Sequence, residues 1–69
     1  MLIDKRLKNL GKNICAIREK KKITQSHLAD ISGLKQTYIS RLENGSINIT
    51  YSNLLVICDA LEISPMHIV

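Results

Sequence analysis

The sequence predicts an all-α domain of five short helices, on three observations. Apolar residues recur at the three- and four-residue spacing of a helix along almost the whole chain. Strand-forming residues are few: the aromatics are Tyr38 and Tyr51, and Ile47–Thr50 is the one β-branched run of note. Helix starts are written repeatedly in one form, an apolar residue, a capping residue, then a second apolar residue that folds back on the first.

The first helix is predicted over about residues 5–20, with Leu7, Leu10, Ile14 and Ile17 on one stripe. The second, over about 25–32, starts at the staple Ile23…Leu28 with Thr24 as cap and carries Leu28 and Ala29 inward. The third, over about 36–43, has the apolar pair Leu34…Ile39 but a lysine, Lys35, at the cap, and it buries Ile39 and Leu42. The fourth, over about 51–61, follows Ile49 and the cap Thr50, with Leu54, Leu55, Ile57, Cys58 and Leu61 as its apolar residues. A short fifth is expected after Ile63 and Ser64, because Pro65 then sits at the first helical position, where its missing N–H costs nothing. Gly33 and Asn44-Gly45 are expected to end the second and third helices.

A chain of 69 residues is expected to form one domain spanning 1–69. A domain of this size buries only about 60% of its unfolded surface, so a partner subunit, a metal or disulfides would be the usual additions. Cys15 and Cys58 each lie inside a predicted helix and no secretory signal opens the chain, so both are read as reduced thiols in a cytoplasmic protein. Cys15, His27, Cys58 and His67 lack metal-site spacing, so no metal and no cofactor are expected. No apolar run approaches the ~20 residues of a membrane span, so no membrane partner is expected. No nucleophile–base pairing, carboxylate pair or glycine-rich phosphate loop is evident, and the chain is read as a non-enzyme with no small-molecule ligand. His27 and His67, at the third positions of their helices, read as surface or capping-turn residues.

The charge is divided. Residues 1–41 hold all ten Lys and Arg and carry a net +7, whereas residues 42–69 hold no base and carry −3. A basic half joined to a mildly acidic half suits either one face turned to a polyanion or a solvated lysine surface. The third helix favours the first. With Ile39 and Leu42 fixing its inward side, Thr37 points away from the core, Ser40, Arg41 and Asn44 flank it, and Gln36 projects from the first turn. Arg reads guanine, Gln reads adenine, and Thr offers a hydroxyl and a methyl.

Two short helices joined by a Gly-containing turn form the helix-turn-helix unit, here about residues 24–44. The residues Thr24-Gln25-Ser26-His27-Leu28-Ala29, Gly33-Leu34 and Ile39-Ser40-Arg41-Leu42-Glu43-Asn44-Gly45 resemble the Cro and phage-repressor family of helix-turn-helix proteins, and the resemblance covers about residues 8–66. It implies a compact five-helix bundle of the lambda-repressor type that binds double-stranded DNA. The Thr37-Tyr38-Ile39-Ser40 run, the small size and Asn48-Ile49 are also similar to the controller proteins of restriction–modification systems.

Position by position, the resemblance implies base reading by Gln36, Thr37 and Arg41, to which the outward face adds Ser40. It implies phosphate contacts at Gln25 and at Asn44 with the loop Gly45-Ser46, in keeping with the attraction of exposed N–H groups for phosphate. It implies an ion pair between Arg18 and Glu43; a free, phosphate-facing Arg18 is the other reading. The family usually has a capping residue where Lys35 stands. Either the helix start frays, or Lys35 meets a phosphate, the reading preferred here. Tyr38 lies at the border of core and outward face, partly buried or donating its phenol proton to a phosphate. Lys20-Lys21-Lys22 reads as a solvated run that adds non-specific attraction.

These residues point to a sequence-specific regulator that occupies an operator as a homodimer. The rival reading is an antitoxin or assembly subunit whose main partner is another protein. The apolar end Ile63-Ser64-Pro65-Met66-His67-Ile68-Val69 either closes the monomer's own core or, with the fourth helix, forms an isologous dimer interface centred on Met66, Ile68 and Val69.

Overall fold

Helix starts in this protein are held by local devices, and they fall where the sequence puts them. In the computed structural model, which describes residues 5–67, the helices are α1 (Lys5–Lys20), α2 (Gln25–Ser32), α3 (Gln36–Glu43) and α4 (Tyr51–Leu61), followed by a 3₁₀ turn at Pro65–His67. The Thr24 hydroxyl accepts the His27 N–H at 3.0 Å and the Thr50 hydroxyl accepts the Asn53 N–H at 3.1 Å. Each such cap stabilises its helix by about 1 kcal/mol. Ile23, Leu34, Ile49 and Ile63, the apolar residues expected to staple the four starts, all pack against the core.

The fifth helix is corrected to a single 3₁₀ turn within the described residues. The His67 N–H donates to the Ser64 carbonyl at 2.9 Å, a three-residue ring rather than the four-residue ring of an α-helix. Ile68 and Val69, named above for the dimer interface, lie outside the described residues.

Three helices end in one geometry. After α1, Lys22 donates to the Glu19 carbonyl and Ile23 to that of Arg18; after α3, Gly45 donates to Leu42 and Ser46 to Arg41; after α4, Glu62 donates to Asp59 and Ile63 to Cys58. This paired closure needs a left-handed residue. Gly45 supplies it at φ 72, but Lys22 and Glu62 adopt φ 59 and 57. The sequence flags only the first, because the other two are imposed on residues that ordinarily avoid that region.

The core is formed by Ile14, Leu28, Ala29, Ile39, Leu42, Leu54, Ile57, Cys58 and Leu61. α3 packs against α1 and α2, and α2 packs against α4. Leu10 and Ile17 are half-buried at its edge. Leu55, expected among the apolar residues of α4, is 37% exposed. The inward stripe of α4 is Leu54, Ile57, Cys58 and Leu61, and Leu55 lies one position round the helix from it.

Gly11, buried in the middle of α1, allows a close backbone approach of α3. A Cβ there would fall on the carbonyl oxygen of Leu42 and come within 2.8 Å of that of Glu43. Gly45 makes a second close approach, where a Cβ would lie 2.8 Å from the Lys8 Cα. The end of α3 is thus pressed backbone to backbone on α1. Gly11→Ala should lower stability by about 2 kcal/mol, since a clash with backbone outweighs alanine's helix propensity of about 1 kcal/mol. The midpoint of urea unfolding checks this, and an unchanged or raised midpoint would contradict it.

Candidate nucleic-acid interface

α3 turns Ile39 and Leu42 into the core and leaves Gln36, Thr37 and Arg41 exposed, with Ser40 half-buried beside them. Lys35, at the N-cap, is extended, exposed and makes no side-chain cap bond, so the first N–H groups of α3 have no side-chain partner. The start of α3 therefore presents uncovered N–H donors and a cation together, a combination suited to an anion.

The other end of α3 is held tightly. Glu43, its last residue, is 8% exposed, and Arg18 of α1 is 9% exposed. Arg18 Nε donates to Glu43 Oε2 at 2.7 Å and Nη2 donates to Oε1 at 3.0 Å. Nη1 donates to the Ile23 carbonyl at 2.7 Å and Nη2 also reaches Cys15 Sγ at 3.5 Å. Gln25, the first residue of α2, donates its amide Nε2–H to Glu43 Oε1 at 2.9 Å. One carboxylate thus joins α1, the start of α2 and the end of α3. Among the described residues no buried side-chain nitrogen or oxygen lacks a partner.

The titration of the group follows from this geometry. Burial pushes the Glu43 carboxyl up, but the hydrogen bonds from Arg18 and Gln25 and the Arg18 charge outweigh it, leaving the carboxyl below its ordinary value. The bonds to Glu43 hold the Arg18 guanidinium above its ordinary value against burial. Burial, and then the Glu43 charge, push the Cys15 thiol up, which makes it a poor thiolate.

The structure thus brings Arg18 and Glu43 together as an ion pair, and Arg18 is not a free surface base. One N–H of the Gln25 side-chain amide is on Glu43. The donors of Ser46 are also engaged, because its N–H and its hydroxyl both reach the Arg41 carbonyl, at 3.0 and 3.1 Å. Asn44 is exposed just beyond α3. Tyr38 is half-buried, and its phenol oxygen accepts the Asn53 amide Nδ2–H at 3.1 Å. Met66, on the 3₁₀ turn, is 81% exposed. Sequence reasoning did not find Gly11, Cys15 or Asn53 as parts of this arrangement. Only Gly11 left a signal, a glycine inside an otherwise regular helical pattern.

Among the described residues, no cluster of three or more His, Cys, Asp or Glu is placed to hold a metal ion. No helix among them is long and apolar enough to cross a membrane.

The pattern of the helix-turn-helix family matches residues 16–68. The control protein C.SmaI of Serratia marcescens is 38% identical over 55 residues, 80% of this chain and 66% of that protein, so the chain spans about two thirds of that relative. The restriction–modification controller protein C.AhdI of Aeromonas hydrophila superposes with a TM-score of 0.93 at 30% identity, covering 96% of this chain and 100% of that one. The controller protein C.Esp1396I, solved as a tetramer with its natural 35-base-pair operator, superposes with a TM-score of 0.84 at 39% identity, covering 88% of this chain and 80% of that one.

Removing either partner of the buried pair strands the other. Arg18→Met and Glu43→Gln should each destabilise the fold by about 3 kcal/mol, and the double variant by less than the two together. A double-mutant cycle in urea measures this, and coupling near zero would contradict it. Because the Glu43 carboxyl is lowered on folding, its contribution is complete above the ordinary carboxylate value and is lost as the pH falls through the lowered one. Glu43→Gln should therefore lose less stability than the wild type across that acid window.

Proposed function

The chain belongs to the helix-turn-helix family, and on that footing we propose that it is a transcriptional regulator that binds duplex DNA sequence-specifically as a homodimer and acts by occupying an operator. The observation that carries this reading is the outward face of α3. Gln36, Thr37 and Arg41 stand exposed on a helix whose far end is pinned by a buried ion pair. A solvated helix has no need of such anchoring, and these side chains match the donor and acceptor edges of the major groove.

In this reading Arg41 takes a guanine edge, Gln36 an adenine edge, and Thr37 and Ser40 a hydroxyl or methyl contact. Lys35 and the uncovered N–H groups beside it take one phosphate. The backbone at the start of α2, where Gln25 sits, takes a second, and Asn44 and Tyr38 take others. Ser46 contributes by shaping the turn that closes α3. The protein has no catalytic role in this reading and works in the cytoplasm, as one domain.

The dimer rests on a second observation. Tyr51 and Leu55, four residues apart on α4, are 71% and 37% exposed, and Met66 on the adjoining turn is 81% exposed. These large apolar side chains lie in the base-free half of the chain. An isologous contact there leaves both basic halves free for DNA, with two α3 helices reading half-sites about one helical turn apart.

Binding-site selection from random duplexes tests the reading directly. Arg41→Ala should weaken the selected duplex by about 1–3 kcal/mol and relax preference at one base pair, whereas Lys35→Ala should weaken all sequences more evenly. Equal, sequence-independent losses in both variants would show that α3 does not read bases. For the dimer, sedimentation equilibrium at micromolar concentration should give a dimeric wild type and a monomeric Leu55→Asp. A dimeric variant would put the interface elsewhere.

A further inference from the structure

Asn53 lies on α4, outside the helix-turn-helix unit, yet its side chain reaches the outward border of α3. It is half-buried, and its backbone is anchored by the Thr50 cap. Its amide Nδ2–H points at the Tyr38 phenol oxygen, 3.1 Å away. We propose that Asn53 is a positioning residue for DNA binding: by donating to the Tyr38 oxygen it turns the phenol proton outward, where it is delivered to a DNA phosphate. The inference rests on the DNA-binding reading above.

The chemistry runs from the valence of the phenol. Its oxygen offers one proton and accepts on its lone pairs. Conjugation holds the O–H near the ring plane, so the proton has two settings, one on either side of the C–O bond. An N–H donor on one side repels the proton from that setting. The other setting is then the favoured one, and there the phenol donates to no described residue. A phosphate oxygen is the strongest acceptor the proposed ligand offers, since a bond from a neutral hydroxyl to an anion is shorter and stronger than a neutral pair. With the proton already set, no hydroxyl rotor has to be ordered on binding.

A purely structural tie between α3 and α4 would give a different signature: loss of stability on removal, with no dependence of DNA affinity on the phenol proton. The test therefore measures affinity for the best duplex recovered by selection, of about 20 base pairs, alongside thermal unfolding. Asn53→Ala should weaken binding about fivefold, the scale of one hydrogen bond, with the melting temperature little changed. Tyr38→Phe should weaken it about equally. In the Tyr38→Phe background, Asn53→Ala should have no further effect. On a duplex carrying methylphosphonate at the contacted phosphate, all four proteins should bind alike. Asn53→Leu, which keeps the volume and removes the donor, repeats the measurement if the alanine variant does not fold.

An Asn53 effect that persists in the Tyr38→Phe background, or no effect on affinity at all, overturns the proposal while leaving the DNA-binding reading intact. A wild type that recovers no duplex from selection overturns both.

Discussion

The arrangement of this domain depends on the buried Arg18–Glu43 pair. An ion pair out of water is weak evidence of stability by itself, because desolvation offsets much of the attraction. Here the geometry meets the condition under which it holds. Both carboxylate oxygens accept from Arg18, one also accepts from Gln25, and Arg18 donates further to the Ile23 carbonyl and Cys15. The pair gives direction more than energy. Apolar packing would tolerate small rotations of α3 against α1, whereas a two-point bond between a planar guanidinium and a carboxylate does not.

That constraint matters because α3 has only eight residues, too few to be stable alone. Its two ends are treated differently. The last turn is held by Glu43, by the closure through Gly45 and Ser46, and by the close backbone approach that Gly11 permits. The first turn is left open, with Lys35 in the place of a cap. In the proposed complex, a helix anchored at its far end and unfinished at its near end gains its missing partners from the DNA. The absent cap, a defect in the free protein, becomes a contact in the proposed complex.

The same economy governs the surface. In a chain of 69 residues, few side chains can be reserved for a single task. Gln25 starts a helix and bonds the buried carboxylate. Tyr38 covers the core and carries a polar tip at the border of the outward face. Leu55 and Tyr51 leave apolar surface in the base-free half of the chain.

By itself the sequence determined the all-α class and the starts of the helices. Caps at Thr24 and Thr50, and the apolar residues Ile23, Leu34, Ile49 and Ile63, act within a turn of themselves, so each is complete in a few consecutive residues. It also marked the outward face of α3, because one buried pair fixes the rotation of a short helix. The Arg18–Glu43 pair was legible through family resemblance alone, since its partners are 25 residues apart. Tertiary structure decided the rest. The Gln25–Glu43 and Tyr38–Asn53 bonds span 18 and 15 residues. The outward turn of Leu55 and the need for glycine at position 11 depend on how neighbouring helices meet, and the left-handed Lys22 and Glu62 go against what those residues ordinarily adopt. Local patterns say where a helix begins and which side is greasy, but contacts between distant residues exist only once the chain has closed. It is those contacts that aim α3.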